Sequence, residues 1–141
     1  MALYRPIKIN FWTDADVLEF TPEEKYFYLY LLTNPNTSAC GIYELPKRKV
    51  QYETGYNEDT VNKLLRKFAD YGKIRYDEQT KEIYILNWHK HNAVSNTNLK
   101  KCVLGELKKV KSEEFKQALL SVYDSQGIEF TDLAQYYRSP L

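Results

Sequence analysis

PKRKVQYETGYNEDTVNKLLRKFADYGKIRY, residues 46 to 76, holds two helical patterns separated by one glycine and runs on into an alternating segment. Proline suits the first position of a helix because its φ is already helical, so a helix is predicted from Pro46 to about Thr54, broken by Gly55. Asn57 has the side chain of an N-cap, and Glu58 and Asp59 suit the positive end of the helix that follows. Val61, Leu64, Leu65 and Phe68 recur at the spacing of one buried face, and Gly72 supplies a left-handed stop. Lys73 to Tyr76 and Glu82 to Leu86 then alternate around the polar Asp77 to Lys81, which reads as a β-hairpin with a charged tip. Ile74 and Tyr76 fall on one face of it, Lys73 and Arg75 on the other.

Upstream, Thr21, Pro22 and Glu24 have the spacing of a capping box, and the helix they open runs to about Thr33 before Asn34, Pro35 and Asn36. Its body, Tyr26 to Leu32, is apolar nearly all round, as in a helix buried on several sides or facing a partner. Asp14 to Phe20 offers a short helical turn with Thr13 as cap. Gly41 to Leu45 is a short β-prone run able to add a third strand to the hairpin. In the arm from Tyr4 to Trp12, Ile7, Ile9 and Phe11 alternate with Lys8 and Asn10, which predicts a strand with an edge open to a second chain. Ile7, Ile9 and Phe11, with Tyr26 and Tyr30 of the aromatic helix, are the candidate self-association contacts, because tyrosine combines large area with a polar tip.

Downstream, Leu99, Val103, Leu107 and Val110 keep helical spacing over about Asn98 to Lys111. Ser112 caps a further helix with Phe115, Leu119, Val122 and Tyr123 as its stripe and Gly127 as its stop. Ile128 to Leu141 has no period and reads as a docked tail or the start of a linker. The expected fold is α+β, mainly α: a winged helix-turn-helix over residues 1 to 92 with its N-terminal arm, then a C-terminal helical extension over 93 to 127. Val61, Leu64, Leu65, Phe68, Ile74, Ile83 and Trp88 are its expected core.

In 141 residues, 43% hydrophobic and 28% charged usage excludes disordered and fibrous classes. No apolar run approaches the roughly 18 residues of a membrane span, and Met1 to Asn10 lacks the apolar core of a secretory signal, so a cytoplasmic protein without membrane partners is expected. A net charge of +1 argues against a nucleic-acid binder that relies on bulk charge, and its distribution carries more. The outward face of the helix after Gly55 presents Thr60, Asn62, Lys63, Arg66 and Lys67, donors able to reach phosphates or base edges. Lys47, Arg48 and Lys49 open the preceding helix. Asn57, Arg75 on the hairpin and Lys81 at its tip complete the candidate DNA-contacting set. Glu58 and Asp59 stand at the end that such helices push toward bases, where their charge repels phosphate. Farther on, Lys100, Lys101, Lys108, Lys109 and Lys111 face only Glu106.

Catalytic chemistry has no support in the sequence. Neither G-x-x-x-x-G-K-[ST] nor G-x-G-x-x-G occurs, which removes a glycine-loop nucleotide site. His89 and His91 are the only histidines, and Cys40 and Cys102 lack a C-x-x-C partner, so no metal, cofactor or enzyme activity is expected.

The runs Lys25 to Pro35, Cys40-Gly41-Ile42-Tyr43-Glu44-Leu45, Gly55-Tyr56-Asn57, Gly72-Lys73-Ile74 and Ile85-Leu86-Asn87-Trp88-His89-Lys90-His91-Asn92 resemble the N-terminal domain of phage replisome organizers and DnaD-like primosomal replication proteins. The resemblance spans about Tyr4 to Phe115. It implies a winged-helix fold, a role in replication initiation and replisome assembly, a homo-oligomer, and partners such as a helicase loader or other primosomal proteins, while the modest basic surface without a strong base-reading set leads to an expectation of weak, salt-dependent DNA binding. Two further readings stay open: an oligomerisation and protein-interaction module of such an initiator, and a winged-helix transcriptional regulator.

Overall fold

The computed structural model describes residues 2 to 128, so the stretch from 129 to 141 read above as tail or linker lies outside the described residues. The described chain is mainly helical with one small antiparallel sheet. Asp14 accepts from the backbone N–H of Asp16 and Val17 and caps α1 (Ala15–Glu19), a role expected of Thr13. Thr21 and Glu24 close their capping box on α2 (Pro22–Thr33), with N···O distances of 3.2 and 2.8 Å. β1 (Ile42–Glu44) leads into α3 (Lys47–Thr54), where Pro46 is the N-cap and stands one position before the expected one. Gly55 turns at φ +83°, and Asn57 caps α4 (Glu58–Asp70) through the N–H of Thr60. The hairpin β2 (Ile74–Asp77) and β3 (Glu82–Ile85) follows.

The strands lie in the order β1-β3-β2, so β3 is central and β1 is the third strand the hairpin needed. Pairing of Ile74 with Ile85, and of Tyr76 and Tyr43 with Ile83, puts these side chains on one face. That face packs on Phe11, Phe27, Leu31, Val61, Leu64, Leu65, Phe68 and Trp88 from the helices and the arm. Every residue of the expected core is buried.

The arm departs from expectation. Ile9–Thr13 forms a 3-10 turn instead of a strand, and the alternation of Ile7, Ile9 and Phe11 is lost in it. Phe11 turns into the core and stacks on Tyr28 at 5.9 Å, Ile7 packs half-buried against the same cluster, and Ile9 stays 89% exposed.

After Asn87 in a left-handed conformation, the short α5 (Trp88–His91), absent from the sequence reading, swings the chain to α6 (Thr97–Lys109), capped by Asn96, and α7 (Glu113–Ser125), capped by Ser112. These two helices cover the other face of the sheet: Ile42 and Tyr84 pack with Val103, Leu107, Val110, Phe115, Leu119 and Tyr123. Two carboxylates fasten them. Glu82, buried on β3, accepts the N–H of Lys111 and Ser112, each at 2.8 Å, where α6 passes into α7. Glu106 on α6 accepts the N–H of Ala39 and Cys40 at 3.0 and 2.9 Å. No helix among the described residues is long and apolar enough to cross a membrane.

Candidate nucleic-acid interface

The inward stripe of α4 fixes which of its residues face out. With Val61, Leu64, Leu65 and Phe68 buried, the 100° step per residue leaves Asp59, Lys63, Arg66, Lys67 and Asp70 exposed, and Thr60 and Asn62 half-buried at the margins. Between this helix and the hairpin runs a groove of about 360 Å³ lined by Lys47, Asn62, Leu65, Arg66, Ala69, Tyr76 and Glu78. Tyr76 forms part of its wall. Its hydroxyl donates to the Leu45 carbonyl at 3.0 Å, and burial, aided by Glu78, pushes its pKa up to about 12, so it stays a neutral donor. The Asn62 Oδ1 is buried and has no hydrogen-bond partner among the described residues.

The hairpin tip closes over the start of α3. The Leu45 N–H donates to the Lys81 carbonyl at 2.8 Å, and Lys81 itself turns at φ +58° with its side chain exposed. Arg48, in the first turn of α3, is exposed. Lys63 and Arg66 make no ion pair among the described residues. Lys47, Asn62 and Arg66 thus meet around one groove, whereas Lys63 and Lys81 are exposed outside its lining.

The other candidates are occupied elsewhere. Lys47 pairs with Glu78 at 2.8 Å and lies 5.4 Å from the Tyr76 ring, which keeps it at the groove but offsets its charge. Lys49 donates to Asn36 Oδ1. The Asn57 side chain is spent on the cap of α4. Lys67 lies 3.4 Å from Glu24, a carboxylate only 4% exposed. Arg75 points to the opposite face of the sheet, where it pairs with Glu114 and lies 5.5 Å from the centre of the Phe115 ring. The carboxylate partners of Lys47, Lys67 and Arg75 come from distant parts of the chain, so no local signal announces them, whereas the cap at Asn57 is local and legible in the sequence.

Of the candidate self-association residues, Tyr26 is 47% exposed and meets Tyr56 edge-on at 6.0 Å. Tyr30 is half-buried and donates to Glu53 at 2.6 Å, and with its burial this raises its pKa. Phe11 is core and offers no contact surface. Of the candidates on the arm, Ile9 is exposed, and Leu3, Tyr4, Trp12 and Leu18 are the further exposed apolar groups near the N-terminus.

Comparison of the chain with family models, curated proteins and solved structures finds no match in any of the three.

Proposed function

We propose that the chain is a winged helix-turn-helix protein that binds DNA weakly and without marked sequence preference, with α3 and α4 as the helix pair, α4 as the helix presented to the duplex and the β2–β3 hairpin as the wing. The observation that carries this reading is the placement of Lys63 and Arg66 on the outward face of α4, exposed and without ion-pair partners among the described residues, with Arg66 and Lys47 lining the groove between α4 and the hairpin. Such a set neutralises phosphates, and Glu58, Asp59 and Asp70 on the same helix keep it shallow. The work it serves, on this proposal, is replication initiation and replisome assembly with primosomal partners, as the family resemblance implies.

A second reading, an oligomerisation module, is favoured by a different observation: Leu3, Tyr4, Ile9, Trp12 and Leu18 leave apolar surface exposed on the arm and α1. The two readings are compatible in one protein.

Fluorescence anisotropy with unrelated duplexes of equal length tests the DNA reading. Affinities of roughly 10⁻⁴ to 10⁻⁶ M that agree among sequences are expected. Discrimination of about 10³-fold or more between duplexes would instead favour a regulator that reads an operator.

A further inference from the structure

Helix α6 contains a glycine that the fold does not require. Gly41, Gly55, Gly72 and Gly127 all adopt positive φ, whereas Gly105 does not, and a Cβ added to it meets nothing within 4 Å. Glycine in a helix interior is the poorest choice after proline, and alanine would fit here without strain. The row in which it stands is unusual too. Val103, Leu104 and Leu107 face inward, so Lys101, Gly105 and Lys109 succeed one another at i, i+4 and i+8 on the outer side, both lysines exposed. At 1.5 Å per residue the two lysines lie about 12 Å apart along the axis with bare helix between them.

Among the described residues no ion pair offsets this row. Glu106 is the one carboxylate on α6, and it is bound by the Ala39 and Cys40 N–H groups of the loop before β1. Nor does the row offer the anchors of a protein interface, which favours aromatic residues and is depleted in lysine. Every large hydrophobic side chain found exposed among the described residues lies at or before Tyr71 in the chain. Lysines flanking an accessible backbone suit a sugar–phosphate strand, which is gripped through its charges and its close approach.

We propose that the row Lys101, Gly105 and Lys109 is a second nucleic-acid contact, seating a sugar–phosphate backbone against the helix at Gly105. It rests on the nucleic-acid reading above for the class of ligand. It is spatially separate from α4, because α4 packs on one face of the sheet and α6 on the other. A segment held at α6 is therefore additional to the one held at α4.

The test uses the full chain, a labelled 30-base-pair duplex, and the variants Gly105→Ala, Lys101→Ala with Lys109→Ala, and Lys63→Ala with Arg66→Ala. Gly105→Ala should raise the melting temperature yet weaken binding about threefold. The α6 lysine pair should weaken it about tenfold at low salt and reduce the slope of log K against log salt by about 1.8, two phosphates at about 0.9 each. Wild-type binding and slope in both α6 variants, with loss confined to the α4 pair, would overturn this inference and leave the α4 reading standing. Loss confined to the α6 variants would do the reverse. A dye on Cys102, exposed and next to Lys101 in the chain while Cys40 is buried, reports the occupant directly. Displacement of the duplex signal by polyglutamate as effectively as by unlabelled duplex would overturn the proposal in favour of an acidic protein.

Discussion

Glu24 on α2 reaches Lys67 on α4, its Oε2 lying 3.4 Å from the Lys67 Nζ, while the same carboxylate caps its own helix and accepts the Tyr71 hydroxyl at 2.7 Å. One buried acid therefore ties the outward-facing helix to the aromatic one and offsets one of its cations. Burial alone would raise the Glu24 pKa, but the Thr21 N–H, the Tyr71 hydroxyl and Lys67 outweigh it and hold the pKa below the ordinary carboxylate value.

Replacing Glu24 with Ala removes a buried acceptor from three donors, and we expect a loss of about 1 to 3 kcal/mol in urea unfolding. Because the folded-state pKa is lowered, the contribution is full above the unfolded carboxylate value and fades as pH falls through the lowered folded one. An unchanged midpoint in the variant would show that the carboxylate does not hold α2 to α4.

Gly41 and Trp88 test the packing behind the sheet. A Cβ at Gly41, where φ is +84°, would lie 2.5 Å from the Trp88 Cγ, and the indole is held in place by its Nε1 donating to the Ala39 carbonyl at 3.0 Å. We expect Gly41→Ala to cost more than about 2 kcal/mol, from crowding and left-handed strain together. Gly55→Ala, with φ +83° and no neighbour within 4 Å, should cost about 1 to 2 kcal/mol from strain alone. Equal losses in calorimetry would mean that the indole yields.

These elements differ in how readily the sequence shows them. The cap at Thr21, the stripe from Val61 to Phe68 and the stop at Gly72 are local signals, and the helices they mark form as read. The arm misled because Ile7, Ile9 and Phe11 alternate over too few residues to distinguish a strand from a 3-10 turn that buries Phe11. The covering of the second sheet face was missed for another reason: Glu82 and Tyr84 find their partners about 30 residues later, and a buried glutamate resembles an exposed one until its donors are known. At the candidate site, the outward face of α4 follows from periodicity, whereas the pairing of Lys47, Lys67 and Arg75 with Glu78, Glu24 and Glu114 depends on tertiary contacts.

Glu82→Ala would leave the Lys111 and Ser112 N–H groups without their acceptor at the turn between α6 and α7. An unsatisfied buried donor costs about 1 to 3 kcal/mol, and of the two the Ser112 N–H is buried while the Lys111 N–H is only partly so. We expect hydrogen exchange to accelerate in α6 and α7 well before it does in α4. Uniform acceleration through the whole chain would show that the extension and the rest unfold as one unit.

His91 lines a cleft with Lys8, Asp14, Asp16, Lys73 and Lys90. Burial first, then the charges of Lys8, Lys73 and Lys90 against Asp14, lower its pKa below the usual histidine value. The unfolded chain then binds the proton more readily, so stability is complete above about pH 6.5 and declines as pH falls through that value toward the lowered one. We expect His91→Gln to flatten this part of the profile while leaving the carboxylate-dependent loss at lower pH. An identical slope between pH 7 and 5.5 in both proteins would remove His91 as its source.

The salt dependence of duplex binding, compared between the wild-type chain and the Lys63→Ala, Arg66→Ala double variant, tests the central claim most directly. If α4 presents these two cations to phosphates, the slope of log K against log salt should flatten by about 1.8 in the double variant, equally on unrelated sequences. Lys67→Ala alone should flatten it less than Lys63→Ala, since Glu24 already offsets Lys67. An unchanged slope in the double variant, or no binding by the wild-type chain at low salt, would contradict the assignment of α4 as the DNA-contacting helix.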